Sequence, residues 1–133
     1  MALYVTDTHP LLWYGEARHA KLSKEALRIF RDAEAGRALI FVPAVVLWEV
    51  SVLIRAGRIQ LSQPFSQWVG MLLAQAGFEL APLDPAVIAE TLQFHLNGDP
   101  FDAAVVATAR LKDLPLITKD EGIVLSGLVE VAW

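Results

Sequence analysis

Short apolar runs alternate along the chain with stretches whose apolar residues recur at helical spacing, which is the pattern of an α/β fold. Leu3 to Thr6 reads as a first strand, stopped by Asp7. Ser23 caps a helical pattern in which Leu27, Ile29, Phe30 and Ala33 lie on or near one face, with Gly36 just past its end. Leu39 to Val42 is the next strand. Pro43 then stands in the first turn of a helix running to about Ala56, where Gly57 stops it. Pro64 to Gln75 predicts an amphipathic helix and Phe78 to Leu83 a strand. Asp84-Pro85 then caps and opens a helix reaching about Leu96. Asn97-Gly98 breaks the chain, and Asp99-Pro100 repeats the same device to start a helix through about Lys112. Leu114 to Thr118 is apolar throughout, as strands buried in a parallel sheet are, and Leu128 to Ala132 closes as a last strand.

Four acids interrupt this pattern. Asp7 ends the first apolar strand, Glu49 follows Val45-Val46-Leu47-Trp48, Asp102 opens Ala103-Ala104-Val105-Val106-Ala107, and Asp120 follows Leu116-Ile117-Thr118. A carboxylate beside a buried apolar run is costly unless it is paired, hydrogen-bonded or neutralised by a cation. Asp7 and Asp120 lie just past the carboxyl ends of strands, the edge where open α/β sheets place their ligands. Asp102 precedes Val105 and Val106 by three and four residues, and Glu49 lies four from both Val45 and Leu53, so both belong to inward helix faces. Two strand ends and two inward faces can meet in one cleft, which predicts a metal site.

Each acid also has a plainer structural role. Asp102 would complement a helix dipole, Asp120 and Asp7 would serve as turn or helix-start residues, and Glu49 would pair with an arginine of a neighbouring element. Asp99 is an N-cap first and an outer acid of the site second. Four separate structural explanations are needed to replace one site. Thr8 and Thr118 are placed to hydrogen-bond and orient the carboxylates. Of His9, His19 and His95, only His9 is close in sequence to an acid. Trp13, Trp48, Trp68 and Trp133 read as core or interface anchors in preference to base-stacking platforms.

Composition narrows the chemistry. The 133 residues are 55% hydrophobic and 20% charged, enough for one domain burying roughly two thirds of its unfolded surface. No apolar run is long enough to span a membrane and the N-terminus has no secretory pattern, so a cytoplasmic protein is expected. With no cysteine, a metal site must be built from oxygen ligands, which favours hard cations. The net charge of −4 argues against coating nucleic acid by bulk electrostatics. It does not oppose a nuclease, whose acids lower the net charge while Arg55, Arg58, Arg110, Lys112 or Lys119 meet phosphates. A mean hydropathy of +0.44 and four tryptophans predict apolar surface covered by another chain.

The ordered set Asp7-Thr8-His9 with Leu11-Leu12-Trp13, Trp48-Glu49-Val50 with Gly57-Arg58-Ile59, Asp99-Pro100-Phe101-Asp102 leading into Ala107-Thr108-Ala109, and Ile117-Thr118-Lys119-Asp120 resembles the PIN-domain nucleases, and within them the VapC-type toxins of toxin-antitoxin pairs. The resemblance spans essentially the whole chain, residues 1–133. It implies a three-layer α/β/α domain with a central, mainly parallel sheet, and a Mg²⁺- or Mn²⁺-dependent endoribonuclease activity. It also implies inhibition by a cognate antitoxin that inserts a segment into or across the cleft. Many relatives carry an arginine after the second aspartate of Asp-Pro-Phe-Asp, where this chain has Ala103.

Phosphodiester hydrolysis needs an activated water and stabilisation of charge on the phosphoryl and leaving oxygens, which divalent cations supply. Mg²⁺ keeps several waters and is commonly held by one or two carboxylates plus substrate oxygens. The expected assignment is Asp7 and Asp102 as primary metal ligands. Glu49 and Asp120 are further ligands or, for one of them, the group that orients the attacking water. A homodimer is expected from composition and resemblance together. Two other classes fit less of the pattern. An inactive PIN-like module would keep the cleft for a metal or a partner. A phosphoacceptor receiver domain would want adjacent acids at its first strand and has no use for an inward Glu49.

Overall fold

The structure is a computed structural model that describes residues 1–133. Five parallel strands form one sheet: β1 (Ala2–Thr6), β2 (Ala38–Pro43), β3 (Phe78–Ala81), β4 (Leu116–Ile117) and β5 (Val131–Ala132). They lie in the order β3-β2-β1-β4-β5. Seven helices cover the sheet in an α/β/α arrangement: α1 (Thr8–Gly15), α2 (Lys24–Glu34), α3 (Ala44–Arg55), α4 (Phe65–Leu73), α5 (Pro85–Glu90), α6 (Pro100–Lys112) and α7 (Glu121–Ser126). The receiver-type order 2-1-3-4-5 is a different topology, so that alternative ends here.

The capping chemistry accounts for the helix starts. Ser23 Oγ accepts the Ala26 amide at 3.0 Å, Asp84 accepts that of Val87 at 3.0 Å, and Asp99 accepts that of Phe101 at 2.8 Å. Helix α6 ends on Asp113 in the left-handed conformation, and Gly36 and Gly57 take positive φ where α2 and α3 stop. At Gly77 the constraint is contact: an added Cβ would lie 1.9 Å from the Ala33 carbonyl, so only glycine lets β3 begin against the end of α2.

The boundaries differ from the pattern in identifiable ways. Pro43 closes β2 and occupies the N-cap position of α3, one residue ahead of the expected first turn. The helix expected to reach Leu96 stops at Glu90, passes through one 3₁₀ turn at Thr91–Gln93, and is extended at Phe94. Leu92 there is 84% exposed, and the Thr91 hydroxyl bonds back to the Ile88 carbonyl, which competes with continuation of the helix. Strand β4 is only Leu116–Ile117, because Pro115 has no N–H to offer a ladder, although its carbonyl still accepts from Val5 at 3.0 Å. Helices α1 and α7 are each too short for periodicity to reveal.

The core is a cluster of 24 buried residues in which Val5, Ile40, Val42 and Leu116 of the sheet meet Ile29, Phe30, Val46, Val50 and Val105 of the helices. Helix α6 packs on β1, α3 and α5, while α2 packs on β2 and α1. This places the first turn of α6 and the middle of α3 beside the carboxyl end of β1.

Candidate functional site

From β1 the chain moves outward to β2 and β3, then returns to the other side of β1 for β4 and β5. The crevice beyond the carboxyl ends of β1 and β4 is therefore the switch point of the sheet. The ladder continues past β1, since the Asp7 amide donates to the Ile117 carbonyl at 3.0 Å. This sets Asp7 beside Thr118. The Thr118 hydroxyl donates to Asp7 Oδ2 at 2.7 Å, and the Thr8 amide donates to Asp7 Oδ1 at 2.8 Å. Asp7 is 7% exposed and Thr8 and Thr118 are fully buried.

The other acids reach the same crevice from different elements. Asp7, Glu49, Asp99, Asp102 and Asp120 line one cleft together with His9, Trp13, Thr118 and Lys119. Glu49, on α3, accepts from the Thr8 hydroxyl at 2.5 Å, so Thr8 bridges the two carboxylates through its amide and its side chain. Asp102, in the first turn of α6, accepts from Asn97 Nδ2 at 2.7 Å. Asp120 is the N-cap of α7, with Oδ1 on the Ile123 amide at 3.0 Å, and its own amide donates to Thr118 Oγ1 at 3.1 Å. Asp99 spends Oδ1 on the first turn of α6 and borders the cleft as well.

None of these carboxylates is in an ion pair, although Lys119 shares the lining of the cleft. The ion pairs of the chain join Arg28 and Arg37 to Asp32 and Arg110 to Glu90, all outside the cleft. The proton affinities follow. Burial, together with the nearby Glu49 charge, raises the Asp7 carboxyl above its ordinary range against the pull of its two hydrogen bonds. Burial first, then the charges of Asp99 and Asp102, raises Glu49. Burial, then Asp7, Asp99 and Asp120, pushes Asp102 up from 3.8 to about 6.

These residues fit a hard divalent cation. The donors are all carboxylate oxygens, and their hydrogen-bond partners are uncharged hydroxyl, amide and carboxamide groups. No three acidic or histidine side chains stand close enough to one another to form a ready-made chelate.

Sequence reasoning placed the four acids at one site with Thr8, Asp99 and Thr118 as supporting candidates, and the structure brings these residues together; His9, noted only for its closeness to Asp7, lines the cleft as well. His19 and His95 lie outside the cleft. Asn97, read as a chain breaker, holds Asp102; its place five residues earlier across a turn was the available signal. Trp13, read as a core or interface anchor, is half-buried, packs against the core and also lines the cleft. Of the five suggested phosphate contacts, Lys119 lines the cleft and Arg58 an adjoining groove. Arg110 is engaged by Glu90 and the Leu128 carbonyl, and Lys112 sits 4.0 Å over the Phe41 ring.

The comparisons with known proteins agree with this architecture. A VapBC complex of Rickettsia felis bound to promoter DNA is similar at TM-score 0.68 and 10% identity, covering 97% of this chain and 96% of that one. A VapC toxin of Mycobacterium tuberculosis described as cleaving the sarcin-ricin loop is similar at TM-score 0.68 and 18% identity, covering 98% and 99%. The FitAcB structure of Neisseria gonorrhoeae is similar at TM-score 0.64 and 18% identity, covering 96% and 95%. No curated protein matches the chain in sequence. Residues 4–125 match the PIN domain, and with the sheet order and the acid cleft at its switch point, the chain belongs to the PIN-domain family.

Proposed function

We propose that this protein is a Mg²⁺- or Mn²⁺-dependent endoribonuclease, the VapC-type toxin of a toxin-antitoxin pair. The observation that carries the reading is Asp7: a carboxylate 7% exposed, held by two uncharged donors, sharing its cleft with Glu49, Asp102 and Asp120, none of which is in an ion pair. A fold does not evolve toward that charge arrangement for stability alone, and a divalent cation resolves it. Asp7 and Asp102 would hold the ion, with Glu49 and Asp120 nearby as ligands or as groups that take a proton from the attacking water. A bound divalent ion supplies charge neutralisation for the phosphoryl oxygens and activation of water near neutral pH.

The chain's own part is positional. Thr118 and Thr8 fix Asp7, Thr8 also fixes Glu49, and Asn97 fixes Asp102, so the negative charge is organised before substrate arrives. The similar toxin-antitoxin complex of Klebsiella pneumoniae and the VapBC complex of Rickettsia felis support an antitoxin partner; its action at this cleft and a cytoplasmic setting belong to the same proposal. No helix is long and apolar enough to cross a membrane. A homodimer belongs to the same proposal, since Trp48 is 58% and Val52 39% exposed on one helix; sedimentation of the isolated chain at micromolar concentration checks it.

The test is cleavage of RNA by purified protein in Mg²⁺ or Mn²⁺ and in chelator, with Asp7→Asn alongside. Cleavage that needs the ion and disappears in Asp7→Asn supports the reading. Cleavage that persists in chelator overturns the metal dependence. The absence of cleavage of total cellular RNA with either ion leaves the inactive PIN-like module as the better description.

A further inference from the structure

The acid cleft repels a polyanion, yet a nuclease must bring one to it. Four of the eleven Lys and Arg residues, Arg18, Lys21, Arg58 and Lys119, border the cleft and a second groove that shares His9, Trp13 and Glu49 with it. None of the four is held in an ion pair. The wall common to both grooves is the Trp13 indole. Lys119 Nζ stands 4.9 Å from the centre of that ring and Lys21 Nζ 5.7 Å, while Trp133 meets the ring edge-on at 6.3 Å and fixes its plane.

An aromatic surface bordered by mobile cations is the combination that binds single strands without sequence preference, through base stacking and backbone charge. The cleft is also lined by Asp99, Asp102 and Asp120, whereas the adjoining groove sets Arg18, Lys21 and Arg58 against Glu16 and Glu49, so the groove is the less repulsive approach for a strand.

We infer that the groove from the acid cleft past Trp13 to Lys21, Arg18 and Arg58 is the track of single-stranded RNA on one side of the scissile phosphate. A nucleobase stacks on Trp13, and its flanking phosphates meet Lys119 toward the acids and Lys21 and Arg58 away from them. This rests on the nuclease reading for its location and adds the direction of approach, the platform and the phosphate contacts.

The experiment is fluorescence anisotropy with a short, labelled single-stranded RNA of mixed sequence in chelator, as a function of salt, followed by single-turnover cleavage in Mn²⁺. Trp13→Ala weakens binding about 5-fold to about 150-fold, the range for loss of one base stack, and Trp13→Phe recovers most of it. Lys21→Ala and Arg58→Ala each reduce the slope of log affinity against log salt by about 0.7. Arg31→Ala, on the outer face of α2, changes neither. Lys21 and Arg58 are exposed, so their variants keep the test valid even if Trp13→Ala does not fold. Unchanged affinity in folded Trp13→Ala, unchanged slopes in both lysine and arginine variants, or no RNA binding by the wild type overturns the inference. Wild type that cleaves while these variants bind normally removes the track and keeps the nuclease. Wild type that binds through Trp13 but never cleaves removes the nuclease and keeps the track.

Discussion

Asp32 and Asp7 are both aspartates at the edge of the packed core, and their surroundings are opposite. Asp32 lies on the outer side of α2 with Arg28 at 3.1 Å and Arg37 at 3.0 Å, so its charge is answered locally by side chains in water. Asp7 is more deeply buried and is answered only by a hydroxyl and an amide, while Glu49, Asp102 and Asp120 add negative charge around it. The first arrangement completes itself within the chain; under the nuclease reading proposed above, a cation completes the second. A carboxylate with its own counterion contributes modestly to stability and needs nothing further, whereas a buried one without an ion pair marks a candidate binding site.

The sharpest way to break this comparison is to neutralise both. Asp7→Asn lowers RNA cleavage by more than about a hundredfold, since a metal ligand supplies several kcal/mol at the transition state and each ~1.4 kcal/mol is tenfold. In chelator the same variant melts no lower than wild type, because the lost charge was opposed by burial. Measured loss of melting temperature with retained cleavage would put Asp7 in the same class as Asp32.

Next in size is Thr118→Val, which removes the donor to Asp7 Oδ2 and the acceptor for the Asp120 amide at once. Cleavage falls about 10-fold to about 100-fold, the usual effect of losing a ligand's supporting hydrogen bond, and a Mn²⁺ titration shows the loss as weaker ion binding. An unchanged titration midpoint would show that Asp7 is oriented by its backbone alone.

Asp102 sharpens the contrast through pH. Its folded proton affinity is higher than that of an ordinary aspartate, so the native state binds more protons than the unfolded chain between 3.8 and about 6. Stability from this group is present in acid and is lost as pH rises through that window. Because the carboxylate is partly exposed, screening reduces the effect to about 1 kcal/mol, or about 3 °C. Melting curves in chelator from pH 4 to pH 7 (roughly the span of the titration) should therefore slope downward with pH in wild type and flatten in Asp102→Asn. Saturating Mn²⁺, at about a hundredfold over its dissociation constant, adds roughly 2.7 kcal/mol to wild type and less to the variant. Equal gains would take Asp102 out of the metal site.

The smallest effect is the control. Asp32→Asn costs within about 1 kcal/mol in thermal melting, less at high salt, and leaves cleavage at the wild-type rate. A loss of cleavage there would mean that surface charge, and not the cleft, governs the reaction.

Much of this was legible before any coordinates. The capping pairs Asp84-Pro85 and Asp99-Pro100 announce their helices because hydrogen bonds to the first turn are local, and α6 runs over the residues expected of it. Asp7, Glu49, Asp102 and Asp120 are visible because an acid inside an apolar run is costly wherever the run goes. The length of a segment is less legible: α5 gives way to a 3₁₀ turn at Thr91, whose hydroxyl bonds back to the Ile88 carbonyl, and β4 shrinks to two residues because Pro115 has no amide to pair. The second was available in the position of Pro115; the first depends on which of several local hydrogen bonds wins.

The sequence by itself determined the alternation of strands and helices, the caps, and the four acids on inward faces or strand ends, since each follows from hydrogen bonding and burial over a few residues. Only the tertiary structure decided that β4 lies beside β1 and so brings Thr118 to 2.7 Å from Asp7 across 111 residues of chain. It also decided that Trp13, packed on the core, lines the cleft as well, and that Arg110 and Lys112 are occupied while Lys119 stands at the cleft wall. Strand order and the pairing of distant side chains depend on how whole elements share one core, and no local window of sequence carries that energy.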